Sequence, residues 1–366
     1  MSINKNMTFI DFFAGIGGFT AGLTQAGMKC VGFCENDKFA VKSYTAIHSP
    51  KIKVQGSGFP ATAQEQARSA VAPKLKRKEW FCGDITKTRA DEIPYADGWT
   101  AGFPCQDVSV CGNQVGIAGE RSGLFFEIIK LLKGKSYEDK PRWILFENVR
   151  NLVSIGGGRD FTTILSEISE VGYDCEWEII NSKLYVPQNR ERIFIIGHLR
   201  AGSPRKVFPV GTANTETLIK SNELVEVIGG RQGNRVYCPR GLSSCLTSQS
   251  GGFAGKCGIY CMECSNQRFI DLNKSDPKIT DIARCIKARY NSGISNRSEL
   301  SGVLTGGRIR RLTPRECFRL QGFSDEQFDK AQAVNSDNQL YRQAGNSVTV
   351  PVIRAIGEGL IKAYEN

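Results

Sequence analysis

The stretch that decides the fold is Thr8-Phe9-Ile10-Asp11-Phe12-Phe13-Ala14-Gly15-Ile16-Gly17-Gly18-Phe19. Its first five residues are apolar apart from Thr8 and Asp11, which predicts a largely buried strand over Thr8 to Phe12. Ala14 to Gly18 is a glycine turn, and Phe19 to Ala26 follows as a helix closed by Gly27. A second strand over Lys29 to Cys34 ends in Glu35 and completes a βαβ unit. An acid about 20 residues past such glycines is spaced to hold ribose hydroxyls. Thr20 stands where the third glycine of a pyrophosphate-binding turn would be due. That favours a nucleoside cofactor without phosphates, such as S-adenosylmethionine, over a dinucleotide. A plain tight turn at a strand–helix junction is the alternative.

Working outward, further apolar runs each end in a chemically useful residue. Trp80 to Ile85 is a short strand carrying Asp84. Trp99 to Phe103 is another, ended by Pro104, which cannot donate to a ladder, so Cys105 falls where strand gives way to loop. Glycines at 112, 116, 119 and 123 make the following loop free to move. A helix is expected over Gly123 to Leu132, then a strand over Arg142 to Phe146 that stops at Glu147-Asn148. In a parallel sheet with right-handed crossovers, Asp11, Glu35, Asp84, Cys105 and Glu147 share one edge. Five polar groups converging there are hard to explain as packing. Helix Phe161 to Val171, strand Asp174 to Ile180 and strand Ile193 to Ile196 follow. Arg190 and Arg192, at alternate positions beside that last strand, suit an acceptor-rich ligand; an ion-pair ladder with Glu191 is the bland reading.

Composition bounds the rest. The chain has 366 residues, 40% of them hydrophobic, enough for one large domain and a smaller one. A formal net charge of +11 suits a polyanionic partner, since lysine and arginine release counterions from phosphates. No run of about 18 apolar residues exists, and the start lacks a signal peptide's apolar stretch. The 13 cysteines form no compact framework, which points to a reducing cytoplasm. Residues 50–79, with the basic cluster Lys74 to Lys78, are expected as a loop around a short helix over Ala61 to Val71. From 200 to about 307 the texture turns glycine- and serine-rich, with recurrent arginines, which predicts a smaller, mostly β or irregular domain. Thr313-Pro314-Arg315-Glu316 reads as a capping box opening a helix. Gln343 to Pro351 reads as a loop, followed by a helix to Tyr364 that returns to the first domain. The expected division is 1–199, 200–335 and 336–366.

With these blocks in order, the sequence resembles the cytosine-C5 DNA methyltransferases of bacteria and their phages over its full length. The blocks are Asp11 to Phe19, Glu35 with Asp37, Gly83-Asp84-Ile85, Gly102 to Gln106 and Glu147-Asn148-Val149. Gln188 to Arg192, Arg311 to Glu316 with Arg319 to Phe323, and Gly345 to Val348 complete the set. The resemblance implies an α/β, Rossmann-like S-adenosylmethionine-dependent methyltransferase sheet with a smaller target-recognition domain around residues 200–308. It implies that Phe13 stacks on adenine, Glu35 holds the ribose, and Asp84 and Ile85 meet the adenine edge. Gly15, Gly17, Asn346 and Ser347 would shape the methionine end. Some relatives carry Trp after the ribose-binding acid; Asn36 stands here, so adenine loses one stacking face.

The implied chemistry is transfer of a methyl group to carbon 5 of a cytosine flipped out of duplex DNA, leaving S-adenosylhomocysteine. Cys105 would add to carbon 6, Glu147 would act at ring atom N3, and Arg192 would bond the base carbonyl. Arg190, Ser109 and Arg121 are the candidate DNA contacts, with residues 106–121 closing over the base. No metal is expected; the expected form is a cytoplasmic monomer, in a restriction–modification or phage context with or without a cognate endonuclease. Other readings stand beside this one. Cys257, Cys261 and Cys264 match radical S-adenosylmethionine spacing, and with Cys238 or Cys245 could hold zinc. The substrate could be tRNA, as in a near branch of the family. A catalytically dead DNA-binding protein is disfavoured by the intact Cys105, Glu147 and Arg192.

Overall fold

The computed structural model describes residues 7–48, 79–103, 123–186, 188, 190–200, 206–210 and 313–365, plus seven short strands between 226 and 310. The chain divides into two compact units, one of residues 1–180, 191–211 and 350–366, the other of 181–190 and 212–349.

The first unit is built on a seven-stranded sheet in the order β3-β2-β1-β4-β5-β7-β6. Its strands are β1 (Thr8–Phe12), β2 (Lys29–Cys34), β3 (Trp80–Cys82), β4 (Gly98–Ala101), β5 (Trp143–Val149), β6 (Tyr173–Asn181) and β7 (Glu191–Leu199). β1 to β5 pair parallel with their neighbours, and β7 lies antiparallel to β5. Helices cover a parallel sheet, so its central strands are apolar on both faces. In β5, Trp143, Ile144, Leu145 and Phe146 are all essentially inaccessible. The helices are α1 (Gly18–Ala26), α2 (Lys38–His48), α3 (Leu124–Lys133), α4 (Arg159–Glu170) and, from the far end of the chain, α8 (Val350–Tyr364). α8 lies so close on α1 that a Cβ on Gly22 would stand 2.6 Å from Ile353 Cβ. Backbone approach of that kind is open only to glycine.

The strands expected at 8–12 and 29–34 have those bounds, but four expectations need correction. Asp11 is not at a strand end; it is the fourth residue of β1 and fully buried. Glu147 lies inside β5, because pairing with β7 carries the strand on to Val149. Residues 343–346 are not loop but the last turn of α7 (Asp337–Asn346). And α2 follows Glu35, where no helix was expected; Asp37 Oδ1 accepts from the amides of Phe39 and Ala40 and starts it.

In the second unit, seven short strands are β8 (Glu226–Ile228), β9 (Val236–Tyr237), β10 (Ile259–Cys261), β11 (Phe269–Asp271), β12 (Ile279–Thr280), β13 (Ser301–Val303) and β14 (Ile309–Arg310). They form a four-stranded sheet, β14-β10-β9-β8, and a three-stranded one, β12-β11-β13. Three helices, α5 (Pro314–Leu320), α6 (Asp325–Gln332) and α7, accompany them. Thr313 and Glu316 form the expected capping box at α5, with Pro314 in the first turn. Phe318 packs against Phe323 and Phe328, ring centroids 5.5 and 5.2 Å away. The helix expected at 61–71 lies outside the described residues. Among the described residues, no helix is long and apolar enough to cross a membrane.

Candidate active site

The glycine turn joins the end of β1 to α1. Phe13 has φ 54°, the one positive value outside glycine among the described residues. An aromatic residue held there is strained, and such strain gathers where a side chain must be aimed. Gly15 and Gly17 are also left-handed, at φ 56° and 81°. Glu35, just past β2, closes the turn from the side. Its Oε2 accepts from the Gly15 amide at 2.8 Å and its Oε1 from the Asp37 amide at 2.7 Å. Burial raises its pKa above the usual carboxylate value, while these amide bonds work against the rise. A Cβ placed on Gly15 would meet nothing within 4 Å, so the turn fronts open space.

β2 and β3 bring the next residues alongside. Cys34 pairs with Cys82, and the Glu35 amide donates to the Cys82 carbonyl at 3.0 Å. Asp84 caps the 3-10 turn over Ile85–Lys87, accepting from Thr86 amide and hydroxyl at 3.1 and 2.7 Å, and those bonds lower its pKa. Ile85 is buried. A strained aromatic, a half-buried acceptor pair and an apolar wall fit a nucleoside, so the residues present suit S-adenosylmethionine.

Beneath the turn, Asp11 accepts from the Thr20 hydroxyl and amide at 2.8 and 3.2 Å and from the Thr100 hydroxyl at 3.1 Å. Burial pushes this carboxyl up from 3.8 to about 7, with the Thr20 and Thr100 hydrogen bonds limiting the rise and the Glu35 charge adding to it. The folded chain therefore binds this proton more tightly than the unfolded chain. Its contribution to stability is greatest at low pH and falls as pH rises from about 4 to about 7. Asp11→Asn keeps an acceptor for Thr20 without the charge. Measured against the parent, it should gain on the order of 4 kcal/mol of stability between pH 4 and pH 8, because only the parent loses the stability tied to this proton. Urea unfolding of both proteins across that range checks this; a difference independent of pH would remove Asp11 as its source.

The second cluster sits where β4, β5 and β7 meet. Val149 pairs with Arg192 and Glu147 with Phe194, so Glu147 and Arg192 are diagonal neighbours on one face. Arg192 Nε lies 3.0 Å from Glu147 Oε1, with both side chains largely buried. That approach lacks hydrogen-bond alignment: Oε1 is held by charge, without an aligned donor. Glu147 Oε2 reaches over β4's end, 3.5 Å from where a Cβ on Gly102 would stand. Asn148 Nδ2 donates to the Phe103 carbonyl at 3.3 Å. β5 thus grips the last residues before Pro104-Cys105. Cys105, Ser109, Arg121 and the loop 106–121 lie outside the described residues, as do Cys238, Cys245, Cys257 and Cys264.

The model of the C-5 cytosine-specific DNA methylases matches residues 7–59 and 62–362. The chain belongs to that family. It is an S-adenosylmethionine-dependent DNA cytosine-5 methyltransferase. Among its relatives are the orphan methyltransferase M.SPRI of Bacillus phage SPR, 30% identical over 98% of each chain. The type II methyltransferase M.NlaX of Neisseria lactamica is 34% identical over 95% of this chain and 94% of its own. The crystal structure of the S. pombe Dnmt2 methyltransferase superposes with a TM-score of 0.60 at 18% identity, covering 97% of this chain and 98% of that one, and shares the Rossmann-like fold.

In its second unit, the methyltransferase holds Arg190 in a surrounding unlike the one expected. Arg190 is 3% exposed, and its guanidinium donates to the carbonyls of Gly345 at 3.3 Å and Ser347 at 2.8 Å. A phosphate contact would require it to leave them. Gln321, fully buried, adds bonds from Nε2 to the Ala344 and Ser347 carbonyls at 2.7 and 3.3 Å. Gln188 Nε2 ties in the Leu320 carbonyl at 2.8 Å. These amides and the guanidinium fix the backbone that carries Asn346 and Ser347. The expected roles had no place for Gln188 or Gln321. Among the described residues, no group of three or more His, Cys, Asp or Glu is placed to hold a metal.

Proposed function

We propose that the methyltransferase acts on cytosine in duplex DNA through a covalent adduct with Cys105. Carbon 5 of cytosine is too poor a nucleophile to take a methyl group directly. Addition of the Cys105 thiolate at carbon 6 makes the ring an enamine and carbon 5 reactive. Glu147 relieves charge at N3, and Arg192 bonds the base carbonyl. When bound, S-adenosylmethionine supplies an electrophilic methyl group. Phe13, Glu35, Asp84 and Ile85 hold its adenosine, while Gly15, Gly17, Asn346 and Ser347 shape the methionine end. Loss of the carbon-5 proton to water then lets the thiolate leave. Because a stacked base is out of reach, the cytosine flips out, with Ser109 and Arg121 at the DNA and residues 200–335 reading the target.

The observation that carries this reading is the Glu147–Arg192 pair, set over the strand end that leads to Cys105. A restriction–modification or phage setting, with or without a cognate endonuclease, fits the type II and orphan names of the relatives. The test is tritiated methyl transfer from S-adenosylmethionine to duplex DNA and to tRNA side by side. Label should enter DNA at carbon 5 of cytosine within a fixed sequence; label in tRNA alone would overturn the assignment.

A further inference from the structure

α2 ends on His48, one of only two histidines in the chain, and no family motif includes it. Its Nε2 lies 3.0 Å from the Ile16 carbonyl; a carbonyl only accepts, so Nε2 carries the proton and donates. The same ring is packed onto Gly17: a Cβ there would stand 2.2 Å from Nε2 and 2.6 Å from Cδ2. Tyr44, one turn earlier in α2, backs the imidazole with ring centroids 4.7 Å apart. Tyr44 is itself fixed by stacking on Phe33 at 3.8 Å and by a 2.9 Å hydrogen bond with the Thr20 hydroxyl.

Three polar groups of the turn thus have an assigned neighbour. The Gly15 amide meets Glu35, the Ile16 carbonyl meets His48, and the Gly17 amide meets the Ala14 carbonyl at 2.7 Å. We propose that His48 is a positioning residue for the methyl donor, locking the left-handed Gly15–Gly17 turn from behind so that its open side keeps the shape the methionine end requires. This rests on the reading of that turn as the donor site. A turn in which every second residue, Phe13, Gly15 and Gly17, is left-handed has many competing conformers, and a donor that binds one of them pays for the others through a lower competent fraction. His48 removes that loss before the donor arrives. Because it touches neither donor nor base, it leaves the chemical step alone.

Three variants of the full-length protein separate donor hydrogen bond from bulk. His48→Ala removes both, His48→Phe keeps a ring without the N–H, and His48→Gln keeps an N–H of similar reach. Calorimetric binding of S-adenosylhomocysteine and steady-state methylation of duplex DNA are the readouts, with thermal melting alongside. His48→Ala and His48→Phe should raise the dissociation constant and the KM for S-adenosylmethionine by about tenfold, the worth of one such hydrogen bond and its contacts. The kcat at saturating donor and the KM for DNA should hold, and His48→Gln should recover most of the affinity. Should His48→Ala unfold, the Phe and Gln variants carry the comparison. Unchanged donor binding in His48→Phe, or a fall in kcat in place of affinity, would overturn the proposal. Glu35→Gln is the control: if it too binds the donor normally, the turn is not the donor site. If Glu35→Gln alone loses affinity, the site stands and only the role of His48 fails.

Discussion

Cys105→Ser is expected to abolish methylation, lowering turnover by on the order of 10⁴-fold or more, while leaving DNA binding intact. The two side chains differ by one atom, so shape cannot account for such a loss. What changes is acidity: a thiol with an ordinary value near 8.5 reaches the thiolate at neutral pH, whereas a serine hydroxyl does not. Without addition at carbon 6, carbon 5 never becomes an enamine carbon. Gel-shift titration with cognate DNA should match the parent protein, and tritium incorporation should fall to background. Substantial methylation by the serine variant would take Cys105 out of the mechanism.

Glu147→Gln and Arg192→Met should each lower kcat by on the order of 10²- to 10³-fold, and the double variant should lose little more than the worse single one. The two groups face one another at 3.0 Å on neighbouring strands, largely out of water. Each sets the charge and direction of the other, so they act as one device. Arg192→Met also leaves a carboxylate that is 8% exposed without its cation, and that variant should lose stability as well. Glu147→Gln retains the shape and separates the two effects. A double-mutant cycle in kcat, read beside urea unfolding, is the measurement. If the two losses multiply, Glu147 and Arg192 serve separate ends.

Much of the sheet was legible because its strands are short, apolar and bounded by acids or glycines. β1 and β2 have the bounds that their apolar runs predict. The glycine turn was legible too, since left-handed backbone leaves a glycine signature. α2 hides behind its neighbouring acids, although Asp37 followed by Ala40, Val41, Tyr44 and Ile47 has the cap and spacing of a buried helix face. Glu35 reads as a ribose ligand, and the acid two residues on, Asp37, starts the helix. Gly345 suggested a loop, yet it sits inside α7 with its carbonyl bound by Arg190, 155 residues earlier. A partner that distant leaves no trace in local pattern. The Glu147–Arg192 diagonal is legible only once β5 and β7 are known to run antiparallel.

The packing of α8 on α1 has a consequence for how the protein comes into being. Ile353 closes on Gly22, Val207 lies against Gly359, and Tyr364 donates to the Arg142 carbonyl at 3.0 Å. The first compact unit therefore stays open along one side until residues 350–364 have emerged from the ribosome. A nascent chain already carries Phe13, Glu35 and Glu147 but lacks the helix that seals α1. Premature termination near residue 340 would yield a polypeptide with Cys105, Glu147 and Arg192 but without Asn346, Ser347 and the helix that seals α1, and such a fragment should go to proteolysis.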